Sequence, residues 1–279
     1  MTATTPPIDY SAWLGRSEET HDELSRNLVK RIAATFGETA PAVGQPLPPL
    51  WMWCFFQEPV AEAQLGSDGH PARGGFLPPA DNRNRMWAGG RVEFIAPLRV
   101  GSEAQRLSTI THIEEKHGRT GALLFVTVRH DYSQDGQLCV REEQDIVYRE
   151  PNPPKLGSDL PALPADWSEA IAPTPTLLFR YSAVTFNGHR IHYDYPYVTD
   201  TEGYAGLVVH GPMIATLNLR AFIRANPGKH VRHFAYRGVR PLTVPTPFEV
   251  AGRIREPGQA QLWAGNADGV AQSAEVLFD

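Results

Sequence analysis

Four polar side chains suited to acid–base chemistry or hydrogen bonding lie close together in the second half of the chain. Asn187, His189, His192 and Asp194 lie in the segment FNGHRIHYD, which Gly188 interrupts. A histidine titrates near pH 6.5 in water, so it can accept or donate a proton at neutral pH. An asparagine is not a base, but its amide can hold a water molecule or a substrate. The segment therefore predicts acid–base catalysis by His192, with Asn187 positioning the reactants and His189 and Asp194 in supporting roles.

A backbone amide follows that could stabilise negative charge. Gly211 precedes Pro212 at the predicted start of a long helix, where the first N–H groups have no partner within the helix. Such an amide sits at the positive end of the helix dipole and can face a developing oxyanion. We expect His210, its neighbour, to support the helix entry rather than react.

Metal binding and serine hydrolysis are two other kinds of chemistry that histidines and aspartates support. His189 and His192 are three residues apart and Asp194 follows, but the HExxH arrangement of metal-binding helices is absent and Gly188 disfavours a helix. A serine hydrolase is also disfavoured, because the chain has no GxSxG segment. We therefore predict no metal, and the lack of a glycine-rich phosphate loop predicts no nucleotide cofactor.

Several arginines could bind anionic groups of a substrate. A guanidinium makes two parallel hydrogen bonds to a carboxylate or phosphate, which suits it to either role. Arg190 adjoins the polar cluster and is a candidate for a substrate carboxylate, whereas ordinary surface positions remain the alternative for all of these residues. Arg83 and Arg85 are candidates for a phosphate or a substrate carboxylate, and Arg237 and Arg240 are candidates for phosphates.

Helices are predicted at three places. Residues 212–225 are apolar nearly all round and end at Asn226-Pro227-Gly228, which indicates a deeply buried helix. Thr20 to Glu23 resembles a capping box that opens an amphipathic helix ending at Gly37. The aromatic segment QPLPPLWMWCFF predicts a second short helix, which either packs in the core or walls a ligand site.

Strand patterns fill the remainder of each half. β-branched and aromatic runs at 91–97, 104–114, 122–132 and 140–148 predict one antiparallel meander, and runs at 231–239, 248–256, 259–268 and 270–278 predict another. A proline-rich linker, 151–175, separates an N-terminal unit, 1–150, from a C-terminal catalytic unit, 176–279. The segment APLRV at 96–100 is echoed by RPLTV at 240–244, a weak internal repeat. A curled sheet around a buried helix in each half predicts an α+β double hot dog fold.

Composition excludes several classes of protein. The chain has 279 residues, 42% of them hydrophobic, and a formal net charge of −5, so nucleic acid is not an expected partner. No apolar run reaches the roughly 20 residues needed to span a bilayer, and the start of the sequence does not resemble a signal peptide. Cys54 and Cys139 are far apart and form no CxxC pair. We expect a cytoplasmic homo-oligomer, a dimer or larger, that does not bind membranes.

The polar segment and the helix entry together resemble a known family. Tyr181, Val184, Thr185, Asn187, Ile191 and His192, followed by Val209-His210-Gly211 before the long helix, are similar to the signature of the MaoC-like, or type 2 enoyl-CoA hydratase, group. The segments TFNGHRIHYD, GLVVHGP and RMWAGG most resemble the subgroup that acts on itaconyl-CoA and mesaconyl-C4-CoA. The resemblance covers most of the chain from about Gln45 onward.

The resemblance implies a reaction and a role for each residue. In that family an aspartate and a histidine five residues later act on a water molecule, and the amide of the glycine before the helix binds the thioester oxygen. His192 and Gly211 match two of these positions, while Asn187 replaces the aspartate and His189-Arg190 replaces the family's Asn-Pro. The resemblance implies a hydro-lyase that hydrates an acyl-CoA, where CoA is part of the substrate and no cofactor is required.

Other functions on the same fold remain open. One is a 3-hydroxyacyl-thioester dehydratase of fatty acid metabolism, which crotonyl-CoA turnover would reveal. Another is a module that binds acyl-CoA without turnover, with Asn187 marking the loss of catalysis. A thioesterase would instead release free CoA.

Overall fold

The computed structural model describes residues 8–72, 74–80, 83–118, 121–150, 155–161 and 163–279. The first half contains β1 (Ser17–Glu23), α1 (Arg26–Phe36), β2 (Asn84–Phe94), β3 (Glu103–Gly118), β4 (Gly121–Gln134) and β5 (Gln137–Arg149). The second half contains β6 (Trp167–Ile171), α2 (Pro175–Val184), α3 (Gly211–Ala225), β7 (Val231–Gly238), β8 (Phe248–Glu256), β9 (Gln259–Asn266) and β10 (Gly269–Phe278).

The two halves repeat one topology. The strands of the first half are ordered β1-β3-β4-β5-β2 and those of the second half β6-β8-β9-β10-β7, all antiparallel. β2 also pairs with β7, with Val92 opposite Phe234, so the two five-stranded units form one continuous ten-stranded sheet. The predicted double hot dog fold is confirmed, with its two sheets joined edge to edge.

The close join between the halves depends on two glycines of β2. A Cβ atom on Gly89 would lie 2.5 Å from the carbonyl oxygen of Tyr236, and one on Gly90 would overlap the Tyr236 hydroxyl. The ring of Tyr236 then stacks on Trp87, with their centroids 4.4 Å apart. The glycines of RMWAGG therefore let the two halves share one aromatic core.

The long helix α3 is buried, as its sequence predicts. Nine of its residues are buried, among them the polar Asn218. Asn218 donates a hydrogen bond to Gln272 of β10 at 3.2 Å, and Gln272 donates one to the Gly211 carbonyl at 3.1 Å. The sheet thus holds the first turn of α3 in place through one buried glutamine.

The start of the chain differs from its predicted structure. Thr20 to Glu23 belong to β1, because pairing with β3 satisfies their backbone groups better than a helical turn would. The helix begins at Arg26, and Ser25 accepts the capping hydrogen bond from the Leu28 N–H at 3.4 Å. The helix does end at Gly37, which has a left-handed φ of 68°.

Other predicted boundaries also shift. Trp51–Cys54 form only a single 3-10 turn, between Leu50 and Phe56, which both have positive φ. β2 begins at Asn84, seven residues before the predicted start. β6 lies inside the segment predicted as a linker, so the second half begins before residue 176. Among the described residues, no helix has the length and apolarity that crossing a membrane requires.

Candidate active site

The segment that carries Asn187 and His192 belongs to the connection between α2 and α3, residues 185–210. It includes a 3-10 turn at Arg190–His192 and a π-helical turn at Tyr197–Thr201, and Val208 and Val209 follow. The Val208 N–H donates to the Ile191 carbonyl at 2.9 Å, and the Val209 N–H donates to the Leu242 carbonyl at 2.8 Å. These bonds place the Val208 carbonyl beside the His192 ring.

His192 is buried, and its tautomer follows from its contacts. Only 6% of the residue is exposed, and its Nδ1 lies 2.7 Å from the Val208 carbonyl oxygen. A carbonyl only accepts, so Nδ1 carries the hydrogen and the neutral ring has its lone pair on Nε2. Nε2 makes no hydrogen bond to another described residue. The atom that could accept a proton is therefore Nε2.

Three imidazole rings pack together around His192. Its ring stacks on that of His210, with centroids 3.5 Å apart, and His189 meets it edge-on at 5.4 Å. His210 Nε2 lies 2.8 Å from the Ser182 hydroxyl, whereas its Nδ1 is buried without a partner among the described residues. His210 thus supports the site from the helix entry, where the sequence predicts it.

Burial keeps all three imidazoles neutral at physiological pH. Burial, followed by the neighbouring His70, lowers the pKa of His189 to about 3. Burial, followed by His189, lowers the pKa of His192 to about 3. Burial and His192 lower the pKa of His210 well below its ordinary value. A neutral His192 is in the protonation state that a base requires.

Asn187 is held by the backbone and lines a cavity. Its own N–H donates to the Ser182 carbonyl at 2.8 Å, and its side-chain oxygen accepts from the His189 N–H at 2.9 Å. The preceding Phe186 has a positive φ of 49° and is exposed. These contacts leave the side-chain NH₂ of Asn187 as the group that can donate to a bound molecule.

Gly211 is the first residue of α3, as predicted. Its N–H makes no hydrogen bond to a described residue, and the following proline has no N–H. A Cβ atom here would lie 2.7 Å from Cε3 of Trp87, so the indole packs directly on the glycine backbone. Because residue 211 is a glycine, its unpaired amide can lie close to the Trp87 ring.

Two cavities flank this segment. The first, of about 890 Å³, is lined by Asn187, Gly188, Pro212, Trp87 and, further along, side chains of the first half such as Trp53. The second, of about 700 Å³, is lined by His189 and by residues of the loop before β2. His192 and Gly211 are not among the described residues that line either cavity, but each contacts a residue that does: His192 meets the ring of His189, and Gly211 packs on Trp87.

Comparison of the chain with known proteins identifies its family. The family model of hydroxyacyl-thioester dehydratase type 2 matches residues 50–244. A mesaconyl-C4-CoA hydratase of Chloroflexus aurantiacus is 45% identical over 250 residues, covering 88% of this chain and 89% of that protein. The chain belongs to the type 2 hydroxyacyl-thioester dehydratase family, within the MaoC-like group.

Two further comparisons agree with this assignment to the type 2 dehydratase family. The mitochondrial hydroxyacyl-thioester dehydratase type 2 of Schizosaccharomyces pombe is 28% identical, covering 87% of this chain and 90% of that protein. A MaoC-like dehydratase structure from Phytophthora capsici has the same fold, with a TM-score of 0.70, 13% identity and coverage of 95% and 96%. Both named relatives are hydro-lyases, and the predicted enzyme class is confirmed.

Asp194 does not orient His192 in this type 2 dehydratase. Arg190 donates to Asp194 from Nε at 2.9 Å and contacts it from Nη2 at 2.8 Å. The other carboxylate oxygen caps the turn at the Tyr197 N–H, at 3.1 Å. Hydrogen bonds from Arg190 and Tyr197 lower the pKa of Asp194. Asp194 therefore caps this turn and pairs with Arg190, instead of supporting His192.

The candidate arginines differ in how far their charges are already paired. Arg190 bonds Asp194 and lies 4.0 Å from the Tyr197 ring centroid, and Arg83 pairs with Glu115 at 2.5 Å. Arg240 is 9% exposed and bonds Asn266 and the Gly269 carbonyl, so its guanidinium holds the turn before β10.

Arg85 and Arg237 have no ion pair with another described residue. Arg237 is exposed on β7, away from the two cavities. Arg85 is half-buried, lines both cavities, and is one of the charges that lower the pKa of His189. Arg85 is therefore the candidate that the structure brings to the polar cluster.

Asp68 and His70, which belong to the loop before β2, were not predicted from the sequence as site residues. Their donor atoms and those of His189 all lie within 4.8 Å of one another, which is close enough to hold a metal ion. The trio of His189, His192 and Asp194 considered from the sequence does not form, because Asp194 bonds Arg190. The segment of Asp68 and His70, GSDGH, resembles an ordinary polar turn. Nothing nearby in the sequence indicates that this turn packs against the segment of His189.

Proposed function

We propose that this enzyme adds water reversibly to a short, branched dicarboxylic enoyl-CoA, with the 2-enoyl thioester mesaconyl-C4-CoA or its double-bond isomer itaconyl-CoA as substrate and citramalyl-CoA as product. The observation that carries the proposal is the 45% identity to a mesaconyl-C4-CoA hydratase over nearly the full length of both chains. At that level of similarity the fold is shared, and the polar cluster supplies groups for the chemistry.

The proposed base is Nε2 of His192. It takes a proton from water while the water oxygen bonds to C3 of the enoyl thioester. A positioned base contributes roughly 10² to 10⁴ in rate. The side-chain NH₂ of Asn187 holds the water or the substrate in line, because its oxygen is already bound to the His189 N–H.

The proposed electrophile is the Gly211 N–H. As the C3–O bond forms, negative charge moves to the thioester oxygen, and an unpaired amide at a helix N-terminus stabilises such charge. The Gln272 bond to the Gly211 carbonyl anchors the residue that carries this amide to the sheet. One donor of this kind is typically worth about 2.7–4 kcal/mol in the transition state.

The dicarboxylic substrate places a constraint on the site. In mesaconyl-C4-CoA the free carboxylate is bonded to C3, the atom that the water attacks. A cation for it must therefore lie next to the catalytic water. Arg85 meets this condition, since it lines both cavities near His189 and has no ion pair with another described residue.

The test is a panel of enoyl-CoA esters, with loss of the enoyl thioester absorbance and a mass gain of one water as readouts. We expect rapid hydration of mesaconyl-C4-CoA or itaconyl-CoA. Release of free CoA, detected with a thiol reagent, would indicate a thioesterase. Tight binding without any change in absorbance would indicate a binding module.

A second candidate function is dehydration of a 3-hydroxyacyl thioester in fatty acid metabolism. The family model and the Schizosaccharomyces pombe relative favour it. That reaction has no second carboxylate, so Arg85 would be dispensable. A higher kcat/KM on crotonyl-CoA than on mesaconyl-C4-CoA would decide for this function.

A further inference from the structure

Hydration of an enoyl thioester needs two proton transfers, and the proposed mechanism assigns only one. Water gives a proton to a base, and C2 receives one. The following inference rests on the proposed hydratase function and concerns the second proton. The group that supplies it must reach the cavity where the substrate lies.

The hairpin at residues 65–71 carries an imidazole and a carboxylate that are bound to each other. The Gly66 N–H donates to the His70 carbonyl at 2.7 Å, and Leu65 bridges to Pro71. Within this turn, Asp68 accepts from the His70 backbone N–H at 3.0 Å, and its other oxygen lies 3.2 Å from the ring Nδ1. The hairpin therefore fixes the direction of the His70 ring.

The hairpin is docked against the catalytic segment. The Arg190 N–H donates to the Asp68 carbonyl at 2.9 Å, and Arg190 Nη1 donates to the Ser67 carbonyl at 2.9 Å. Gly69 and Gly188 meet backbone to backbone: a Cβ on Gly188 would lie 2.7 Å from the Gly69 carbonyl oxygen. These contacts hold a loop of the first half in register with a segment of the second half.

His70 reaches the substrate cavity. It lines the first cavity together with Asn187 and Pro212, at the base of α3. Its ring centroid lies 4.2 Å from that of His189, which in turn meets His192. The side chains of His70 and Asp68 are about one-fifth exposed.

His70 and His192 have opposite surroundings. The Asp68 carboxylate lies against the His70 ring at Nδ1, whereas His192 is buried and its Nδ1 contacts a backbone carbonyl. Charge on His70 is one of the causes that hold the pKa values of His189 and His192 near 3. The positive charge of Arg85, in the same cavity, opposes protonation of the cluster. Two titratable groups whose surroundings shift their pKa values in opposite directions can serve as the acid and the base of one reaction.

We propose that His70, oriented by Asp68, is the acid that delivers a proton to C2. The water oxygen bonds to C3, its proton moves to Nε2 of His192, and the C2–C3 π electrons move toward the thioester oxygen. The resulting enolate takes a proton from the His70 imidazolium at C2. His70 is then neutral and His192 is charged, and transfer of one proton between them, through His189 or solvent, restores the starting state.

The experiment compares His70→Gln and Asp68→Asn with His112→Gln in the hydration of mesaconyl-C4-CoA. His112 is exposed on β3 and contacts Glu114 at 3.5 Å, so it is a matched histidine–carboxylate pair outside the site. We expect His70→Gln to lower kcat by roughly 10² to 10⁴, with a much smaller change in KM. His112→Gln retains the wild-type kcat.

Two readouts separate a proton donor from a structural residue. In a plot of kcat against pH, the high-pH limb reports deprotonation of the acid. Asp68→Asn removes the negative charge beside the His70 ring, so we expect this limb to move to lower pH. Added imidazole restores turnover to His70→Ala but not to His192→Ala. Thermal unfolding confirms that each variant is folded, and His70→Gln carries the test if His70→Ala unfolds.

Three results would overturn the proposal: a folded His70→Gln enzyme with wild-type kcat, a high-pH limb unchanged in Asp68→Asn, or activity that a chelator abolishes and zinc restores. The last result would make Asp68, His70 and His189 a metal site. Failure of the proposed function is distinguishable, because the wild-type enzyme would then hydrate no enoyl-CoA in the panel.

Discussion

The imidazole rings of His192 and His210 lie face to face, with their centroids 3.5 Å apart and their planes 17° from parallel. Two positive charges at this distance would repel strongly, so no more than one of the rings is protonated at a time. His210, bonded to Ser182, stays neutral. A proton that His192 takes from water is therefore readily released, which suits a reversible hydration.

Replacing His192 tests the base. We expect His192→Asn to lower kcat for hydration by roughly 10² to 10⁴, because the variant has no proton acceptor beside the water. Steady-state kinetics on mesaconyl-C4-CoA measures this, and His21→Asn, an exposed histidine of β1, is the control. A folded His192→Asn enzyme with undiminished kcat would remove His192 from the mechanism.

Replacing Gly211 tests the close approach of Trp87 to the helix entry. The added methyl of Gly211→Ala would lie 2.7 Å from the indole, so the ring or the helix start must move. Overpacking of this kind costs about 1–3 kcal/mol of stability. We expect a lower unfolding midpoint in urea and at least about a tenfold loss of kcat, because the oxyanion donor shifts.

A second substitution separates these two effects. Trp87→Leu in the Gly211→Ala background removes the overlapping ring atoms and should recover part of the lost stability. Loss of stability that is simply additive in the double variant would contradict the contact.

Arg85 is the predicted determinant of substrate choice. We expect Arg85→Gln to raise KM for mesaconyl-C4-CoA by about tenfold or more, since a charge-assisted bond to the carboxylate is lost. Crotonyl-CoA, which has no second carboxylate, should be hydrated as before. Arg255→Gln, on the exposed end of β8, serves as control. Equal effects on both substrates would show that Arg85 binds the CoA portion instead.

Buried histidines predict how stability depends on pH. Burial lowers the pKa of His130, His189 and His192 to about 3 and that of His210 well below its ordinary value. Between that range and pH 6.5 the unfolded chain binds more protons than the folded one, so stability falls as pH falls. Each histidine contributes a slope of up to about 1.4 kcal/mol per pH unit in this window.

Two carboxylates act in the opposite direction, since burial raises the pKa of Glu18 and of Glu142. The four histidines outnumber the two glutamates, so the free energy of unfolding should rise with pH in this window. Urea unfolding should therefore show lower stability at pH 5 than at pH 7. Equal stability at the two pH values would contradict the conclusion that the buried histidines stay neutral in the folded protein.

Features encoded locally were predictable from the sequence. The glycine and proline before an apolar run identified the start of α3, and the spacing of Asn187, His189 and His192 identified the polar segment. The repeated pattern of turns and strands indicated two similar units, and the topology confirms the repeat. Such features depend on neighbours in the chain, which is what spacing and composition report.

Features that depend on distant contacts were not predictable. Thr20 to Glu23 satisfy a capping pattern, yet pairing with β3 makes them a strand. Asp68 and His70 gain significance only because the Gly69 and Gly188 backbones touch across more than a hundred residues of sequence. Asp194 is a different case, because its contacts with Arg190 and Tyr197 are local and the spacing did not show which of the nearby partners it would bond.

The most direct test of the central claim is hydration of mesaconyl-C4-CoA in ¹⁸O-labelled water, comparing the wild-type enzyme with His192→Asn by mass spectrometry. The account predicts that the wild-type product gains one labelled oxygen, bonded to C3, and that the variant forms product at least about a hundredfold more slowly. Product formed equally fast by both enzymes, or no labelled product from the wild-type enzyme, would contradict it.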